Sequence, residues 1–264
     1  MSARVDCSIT GATATITLVN PERRNALSIS MYEELGAILD ELEASQTVHA
    51  VVLTGSGLSF CVGADLAAAP EKRLLRGISV SEDAARLQWA SRIVEQFFRL
   101  PQPTVAAIGG ACAGAGLSLA AAADFRIASE KAVFNTAFLS AGLSGDLAGI
   151  WYLTRTLGGA RARELFLTPH KFDAARAQEL GLVSQVVPPA SLAEATAELS
   201  GTLAASAPIA LRAMKQNLQL AQSSSLSDYI TTEVDRMVHS FHTEDAAEAA
   251  AAFLAKRPPM FSGR

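Results

Sequence analysis

Two glycine-punctuated segments offer backbone N–H groups that could stabilise a developing negative charge. The first, VLTGSGLSFCVGADL, runs from Val52 to Leu66, and its corner of small residues leads into Asp65, a residue type that often caps a helix. The second runs from Gly110 to Gly116 and continues into an apolar helical pattern. A helix N-terminus leaves its first N–H groups without intrahelical acceptors, and small residues let a ligand approach the main chain. Both segments are equally compatible with ordinary strand-to-helix turns.

Other motifs that would assign a chemistry do not fit these segments. Gly114 and Gly116 lack the third glycine and the later acidic residue that a dinucleotide-binding fold needs. The sequence has no Gly-Lys-Ser/Thr of a phosphate-binding loop and no Gly-x-Ser-x-Gly nucleophile elbow. His239 and His242 are three residues apart on a predicted helix but have no evident third ligand, so no metal site is predicted.

Composition limits the classes of partner. Half of the 264 residues are hydrophobic and 18% are charged, which predicts a substantial core. The net charge of −4, without a basic patch, argues against nucleic acid. The most apolar stretch, Val105–Ala123, is interrupted by four glycines and ends at Asp124, so we expect no membrane span. An odd number of scattered cysteines, three, is typical of reduced thiols and predicts a cytoplasmic protein.

Strands alternate with helices in the first half of the chain, and helices dominate after Gly149. We predict a hairpin at Gly11, a helix started by a capping box of Ser30 and Glu33, and a mostly parallel sheet. The other predicted elements are buried strands at His49–Thr54 and Thr104–Ile108, strands at Asp124–Ala128 and Ala132–Phe134, and helices at Glu82–Leu100, Leu117–Ala123, Ser191–Ser206, Ala207–Gln222, Leu226–His242 and Glu244–Ala255.

A set of short motifs, in order from about residue 5 to the C-terminus, resembles the crotonase superfamily, also called the enoyl-CoA hydratase/isomerase family. The motifs are Asn20–Leu27, Leu53–Gly55 with Phe60–Leu66, Gly110–Leu119, Phe134–Asn135 with Gly142–Leu143, Ala174 with Leu180–Val183, and Phe253–Arg257. The resemblance implies an α/β fold, a crotonase-like spiral of ββα units with a C-terminal helical region. It implies a core with an acyl-CoA site over residues 1–200, a helical trimerisation region over 201–264, and a homotrimer or dimer of trimers.

The resemblance also implies site residues. It assigns the two N–H donors of an oxyanion hole to Ala64 and Ala115, each contributing about 3–4 kcal/mol to an enolate-like transition state. It expects no cofactor beyond the coenzyme A thioester that is the substrate. Lys256 would reach the nucleotide of a neighbouring subunit, although a solvated lysine at a helix end is an equal alternative. The implied acyl-CoA contacts are Arg24, Ala26, Asp65, Leu66, Ala67, Gly116, Phe253 and Lys256.

Hydratases of this family position water with two glutamates, and the equivalent positions here hold Ser118 and Phe138. Phe138 cannot transfer a proton, and Ser118 is a weak base without a partner. One acid/base candidate remains, Asp146, among apolar neighbours that would raise the pKa of a carboxyl. Capping of the following helix is the alternative role for Asp146.

A single carboxyl suffices for moving a double bond, so the sequence predicts an enoyl-CoA isomerase with Asp146 as its proton shuttle. An enoyl-CoA hydratase in fatty-acid degradation is one alternative. A crotonase-fold protein that binds acyl-CoA with little catalysis is another. A dehalogenase is disfavoured because its nucleophilic aspartate usually works with a nearby histidine, and none of the histidines lies in a matching motif.

Overall fold

A β-hairpin opens the described part of the chain, which comprises residues 3–264 of a computed structural model. Strands β1 (Arg4–Thr10) and β2 (Thr13–Val19) pair antiparallel. Gly11, in the turn between them, has a φ of +59°, which glycine adopts without steric cost. The predicted hairpin at Gly11 is confirmed.

The first helix, α1, spans Ile29–Ala44 and packs against β1. It begins earlier than predicted, because the side chain of Ser28, not Ser30, accepts a hydrogen bond from the Met31 N–H at 3.3 Å. Ser28 has the extended backbone that lets a cap reach back to the first turn, whereas Ser30 already lies inside the helix. The residues that α1 buries are Met31, Tyr32, Leu35, Leu39 and Leu42.

The larger sheet of residues 3–264 contains the hairpin and four further strands. These are β3 (Ala50–Gly55), β5 (Thr104–Ile108), β7 (Phe125–Ser129) and β10 (Gln185–Val187). Their order across the sheet is β1–β2–β3–β5–β7–β10, and every pairing after the hairpin is parallel. The predicted mostly parallel sheet is confirmed.

A second, smaller sheet consists of very short strands. They are β4 (Ser59–Cys61), β6 (Ala111–Ala113), β8 (Val133–Asn135) and β9 (Phe172–Asp173), in the order β4–β6–β8–β9. Only β8 was predicted, because two or three residues are too few to show the alternation that identifies a strand.

The two sheets are built by a repeating unit. Each turn of the chain contributes one strand to the larger sheet, one to the smaller sheet, and then a helix. The three units are β3, β4 and α2 (Val80–Arg99); β5, β6 and α3 (Ala115–Ala121); and β7, β8 and α4 (Gly149–Leu157). This is the spiral of ββα units that the resemblance implied, so the fold class is confirmed.

Helices complete the chain. They are α5 (Gly159–Leu167), α6 (Ala174–Leu180), α7 (Leu192–Ala204), α8 (Pro208–Leu220), α9 (Leu226–Phe241) and α10 (Glu244–Ala255). Helix α7 covers β3, β5 and β7, and α8 packs on α9. The buried Lys215 ammonium of α8 lies 2.7 Å from the Asp124 carboxylate.

The division of the chain at residue 200 stays a prediction. No helix within residues 3–264 is both long and apolar enough to span a membrane.

Candidate active site

The two glycine-punctuated segments meet where β4 ends and α3 begins. A Cβ atom at Gly116 would overlap the carbonyl oxygen of Cys61, so only glycine allows this approach. A Cβ atom at Gly63, which has a φ of +94°, would lie 3.2 Å from the Ala115 nitrogen. The small residues of the two segments therefore bring two stretches of main chain into contact.

Two N–H groups at this meeting point have no acceptor among the described residues. Ala115 is the first residue of α3, so its N–H has no intrahelical partner. Leu27 bonds to both neighbours of Ala64, donating to Gly63 at 2.8 Å and accepting from Asp65 at 3.2 Å. This parallel bridge turns the N–H of Ala64 itself away from Leu27. The arrangement can hold one anionic oxygen between two backbone donors.

Asn25 positions the loop that carries Leu27, a role that sequence reasoning missed. Its Oδ1 accepts from Asn20 N–H at 2.9 Å and from the Ser56 hydroxyl at 3.1 Å. Its Nδ2 donates to the carbonyls of Ser56 and Ser59 at 2.9 and 2.8 Å. Asn25 has a φ of +57°. The signal in the sequence was the residue type, because asparagine tolerates left-handed backbone better than most residues. Arg24, beside it, is exposed, and Ala26 is buried.

The segment after Ala64 differs from the prediction. Asp65 is followed by a turn at Leu66 and Ala67, not by a helix, and its Oδ1 accepts from the Ala67 N–H at 3.1 Å. Asp65 is thus a turn-capping residue, because short polar side chains stabilise turns as well as helix ends. Leu66 and Ala67 are exposed.

Asp146 lies in the loop that leads into α4. The alternative that it caps this helix is wrong: the N-cap is Ala148, and no side chain caps α4. Leu147 and Ala148 have φ of 47° and 57°, which turns the chain between Asp146 and the helix. The Asp146 carbonyl accepts from the Ser118 hydroxyl at 3.2 Å, which fixes the loop to α3 one turn beyond Ala115.

The Asp146 carboxyl is poor in partners. Its Oδ1 is shielded from solvent and has no hydrogen-bond partner among the described residues. Burial raises the pKa of Asp146 to about 6. Its charge in turn contributes to the raised pKa of the buried Tyr32 phenol and the Cys61 thiol, for both of which desolvation is the larger cause. Asp146 therefore lies close enough to Tyr32 and Cys61 for its charge to raise the pKa of both.

Ser118 and Phe138, which the resemblance aligns with the two glutamates of the family's hydratases, are both packed inside the fold. Ser118 is buried, its hydroxyl donates to backbone carbonyls, and a Cβ atom at Gly149 would overlap it. Phe138 is buried as well. Neither side chain supplies a second carboxyl near Asp146.

The C-terminal residues predicted to contact acyl-CoA lie apart from this group. Phe253 and Lys256 are exposed, in α10 and directly after it. Neither residue forms a hydrogen bond with Ala64, Ala115 or Asp146 within residues 3–264. Arg257 is held by Glu248 through two bonds of 2.6 and 2.8 Å, which fixes the chain direction after Lys256.

A sequence model of a known protein family matches nearly the whole chain. The model described as enoyl-CoA hydratase/isomerase matches residues 8–264. The chain belongs to the enoyl-CoA hydratase/isomerase family. Relatives and solved structures agree with this assignment along almost the whole length of the chain.

Relatives within the enoyl-CoA hydratase/isomerase family include proteins named as isomerases and proteins named as hydratases. The chain is 34% identical to a 1,2-epoxyphenylacetyl-CoA isomerase of Escherichia coli (strain K12), over 95% of each chain. It is 36% identical to a probable enoyl-CoA hydratase of Rhodobacter capsulatus, again over 95% of each. An enoyl-CoA hydratase structure from Bacillus anthracis superposes with a TM-score of 0.92 at 32% identity, covering 98% of this chain and 99% of that one. The family is thus shown, and the reaction within it must be argued from the site.

Proposed function

We propose that this member of the enoyl-CoA hydratase/isomerase family moves the double bond of an enoyl-CoA, with Asp146 as proton shuttle. The observation that carries the proposal is the carboxyl of Asp146, whose Oδ1 has no partner, in a loop that Ser118 joins to α3, the helix that begins at Ala115. The positions of the hydratase glutamates hold Ser118 and Phe138 instead.

The reaction uses these groups in two proton transfers. The thioester oxygen of a 3-enoyl-CoA accepts hydrogen bonds from the N–H groups of Ala64 and Ala115. The Asp146 carboxylate removes a proton from C2, and the C–H electron pair passes into a dienolate whose charge rests on the thioester oxygen. The same carboxyl returns the proton to C4, which leaves the double bond between C2 and C3. No cofactor takes part in this sequence.

The environment of Asp146 suits a shuttle that both takes and returns a proton. With its pKa raised to about 6, the carboxyl is ionised at neutral pH yet is a stronger base than an exposed aspartate. Hydration would need a second group to complete its proton transfers. The Ser118 hydroxyl is committed to the carbonyls of Asp146 and Gly114, at 3.2 and 3.4 Å.

Asp146→Asn tests the proposal, with 3-hexenoyl-CoA as substrate. The amide cannot accept the C2 proton, so we expect kcat to fall by about 10²–10⁴-fold, the usual contribution of a general base. The measurement is the absorbance of the conjugated 2-hexenoyl thioester. In the parent, kcat/KM should rise with pH up to about 6 and then level off as Asp146 ionises.

Asp173→Asn is the matched control, because asparagine can keep the N-cap bond of 2.8 Å that Asp173 forms at α6. Its activity should equal that of the parent. An Asp146→Asn enzyme as fast as the parent would show that Asp146 is not the base. Parent enzyme that hydrates 2-hexenoyl-CoA faster than it isomerises 3-hexenoyl-CoA would favour the hydratase alternative. Tight binding without turnover would favour an acyl-CoA-binding protein.

Acyl-CoA recognition and assembly complete the proposal. Exposed Arg24 and the Asp65–Ala67 turn flank the segment that carries Ala64, where they can contact the coenzyme. Phe253 and Lys256 would contact it from a neighbouring subunit of a homotrimer or a dimer of trimers. Their exposure in the single chain is compatible with this role.

A further inference from the structure

The C-terminal segment, residues 257–264, folds back along α10 and is bound there by acidic side chains of that helix. Asp245, which is 2% exposed, accepts hydrogen bonds from the Ser262 N–H at 2.7 Å and from the Gly263 N–H at 2.9 Å. Its own N–H donates to the Arg264 carbonyl at 3.2 Å. The far end of the C-terminal segment is therefore attached to the first turn of α10, although the segment forms no helix or strand.

Glu248 binds the near end of the C-terminal segment. Its Oε1 and Oε2 accept from the two terminal nitrogens of Arg257 at 2.6 and 2.8 Å, the two-pronged geometry in which a guanidinium binds a carboxylate with defined orientation. The Met260 N–H donates to Oε1 at 2.8 Å. The bond from Arg257, and after it the bond from Met260, lowers the pKa of Glu248 to about 2, so the carboxylate is charged at neutral pH.

Lys256 lies directly before this segment in a constrained backbone conformation. It ends α10 with a φ of +52°, a left-handed value that persists in a residue with a side chain only where the surrounding structure fixes it. The Lys256 N–H donates to the Phe253 carbonyl at 3.2 Å, and the Arg257 N–H donates to the Ala252 carbonyl at 3.1 Å. The bonds between Arg257 and Glu248 add the constraint from the following residue. The Lys256 side chain is exposed and has no ion pair within residues 3–264.

We propose that Glu248 is a positioning residue for acyl-CoA binding, which through Arg257 fixes the backbone of Lys256 so that its ammonium meets a phosphate of the coenzyme. This inference rests on the proposed function, because it takes Lys256 as a coenzyme contact, but it does not depend on which reaction follows. Binding must order a lysine side chain that has many rotamers, and a backbone that is already fixed lowers that entropic cost.

Two thioesters separate this role from a general structural one: 3-hexenoyl-CoA, and 3-hexenoyl-pantetheine, which has the same acyl group and thiol arm but no nucleotide. In Glu248→Ala, kcat/KM for the CoA thioester should fall about tenfold, as for the loss of one hydrogen bond to a charged group. The fall should come from KM, with kcat unchanged, because the nucleotide lies away from the reacting carbons. The pantetheine thioester should react as with the parent. Equal losses with both thioesters would overturn the inference, since a damaged fold or assembly affects both.

Lys256→Ala tests whether Glu248 acts through Lys256. The single variant should show the same selective loss for the CoA thioester. The double variant with Glu248→Ala should lose no more than either single variant, because two residues that serve one contact are not additive. Losses that multiply in the double variant would show that Glu248 acts independently of Lys256, which contradicts the proposal.

Glu95→Ala is the matched control, since Glu95 also forms an exposed ion pair with an arginine, Arg99, at 2.9 Å, but within α2. It should leave the ratio of the two kcat/KM values as in the parent. Binding of hexanoyl-CoA and hexanoyl-pantetheine, measured by calorimetry, gives a readout that does not need turnover. A loss of affinity in Glu248→Ala for hexanoyl-CoA alone supports the inference even if the proposed isomerisation fails. A parent protein that binds the two ligands equally tightly overturns it.

Discussion

A partly buried carboxyl without a hydrogen-bond partner lowers the stability of the fold when it ionises. Asp146 is such a group, and burial raises its pKa to about 6 from an ordinary value of about 3.9. The folded chain therefore holds this proton more tightly than the unfolded chain. Stability attributable to protonated Asp146 is fully present below about pH 4 and is lost as the pH rises through about 6.

Asp146→Asn should consequently be more stable than the parent at neutral pH. Two pKa units correspond to about 3 kcal/mol, and we expect a gain of about 1–3 kcal/mol in the free energy of unfolding at pH 7, because the asparagine amide must also find partners. Urea unfolding of the variant and the parent at pH 7 and at pH 4 measures this gain. The gain should largely disappear at pH 4. An equal gain at both pH values would show that packing, not ionisation, is responsible.

Some residues of the candidate site are easier to recognise in the sequence than others. Ser118 and Phe138 can be recognised as departures from the hydratase pattern because they lie inside a motif. Asp146 was predicted to be the shuttle, but the sequence left helix capping open because a base and a helix cap share the same residue type before a helix. The N-cap at Ala148 removes the capping role.

At the scale of elements, the oxyanion hole depends on the contact between the end of β4 and the start of α3. The glycines at both places were visible in the sequence. The three-residue strands β4 and β6 were not, because their pairing depends on partners about fifty residues apart, not on local pattern. The helix expected after Asp65 was wrong for the related reason that helix caps and turn caps have the same composition.

Gly63→Ala should impair the oxyanion hole more than it lowers the stability of the fold. The new Cβ atom would lie 3.2 Å from the Ala115 nitrogen and restrict access to its N–H. Loss of one such donor lowers kcat by about 10²–10³-fold. Gly181→Ala controls for backbone strain, because Gly181 has a φ of +83° and its Cβ would have no neighbour within 4 Å. Equal losses of activity in the two variants would contradict the assignment of Ala115 as a donor.

At the scale of the whole molecule, α9 is an amphipathic helix whose apolar side is open. None of its residues is buried within the described chain. Its exposed apolar residues follow helical spacing and form one stripe: Leu226, Ile230, Val234, Met237, Val238 and Phe241. A continuous apolar stripe of this kind is typical of a surface that another subunit covers, in agreement with the proposed trimer.

Replacing Val234 and Met237 together by lysine should separate the subunits. Two charges on the stripe would have to be buried without partners in the assembly, so we expect a species of one-chain mass in light scattering after size-exclusion chromatography. Asp235→Lys adds a charge to the same helix outside the stripe and should leave the mass unchanged. A double variant that keeps the parent's mass would place the interface elsewhere.

The ββα spiral also determines when the site can exist during folding. Ala64, Ala115 and Asp146 come from three successive ββα units, which are joined by the pairing of β4 with β6 and of β6 with β8. Such non-local pairings form late, after local helices, because the chain between them must first be closed. Enzymatic activity in a refolding or newly synthesised chain should therefore appear only when the third ββα unit has folded. A chain stopped before Asp146 lacks the proposed proton shuttle.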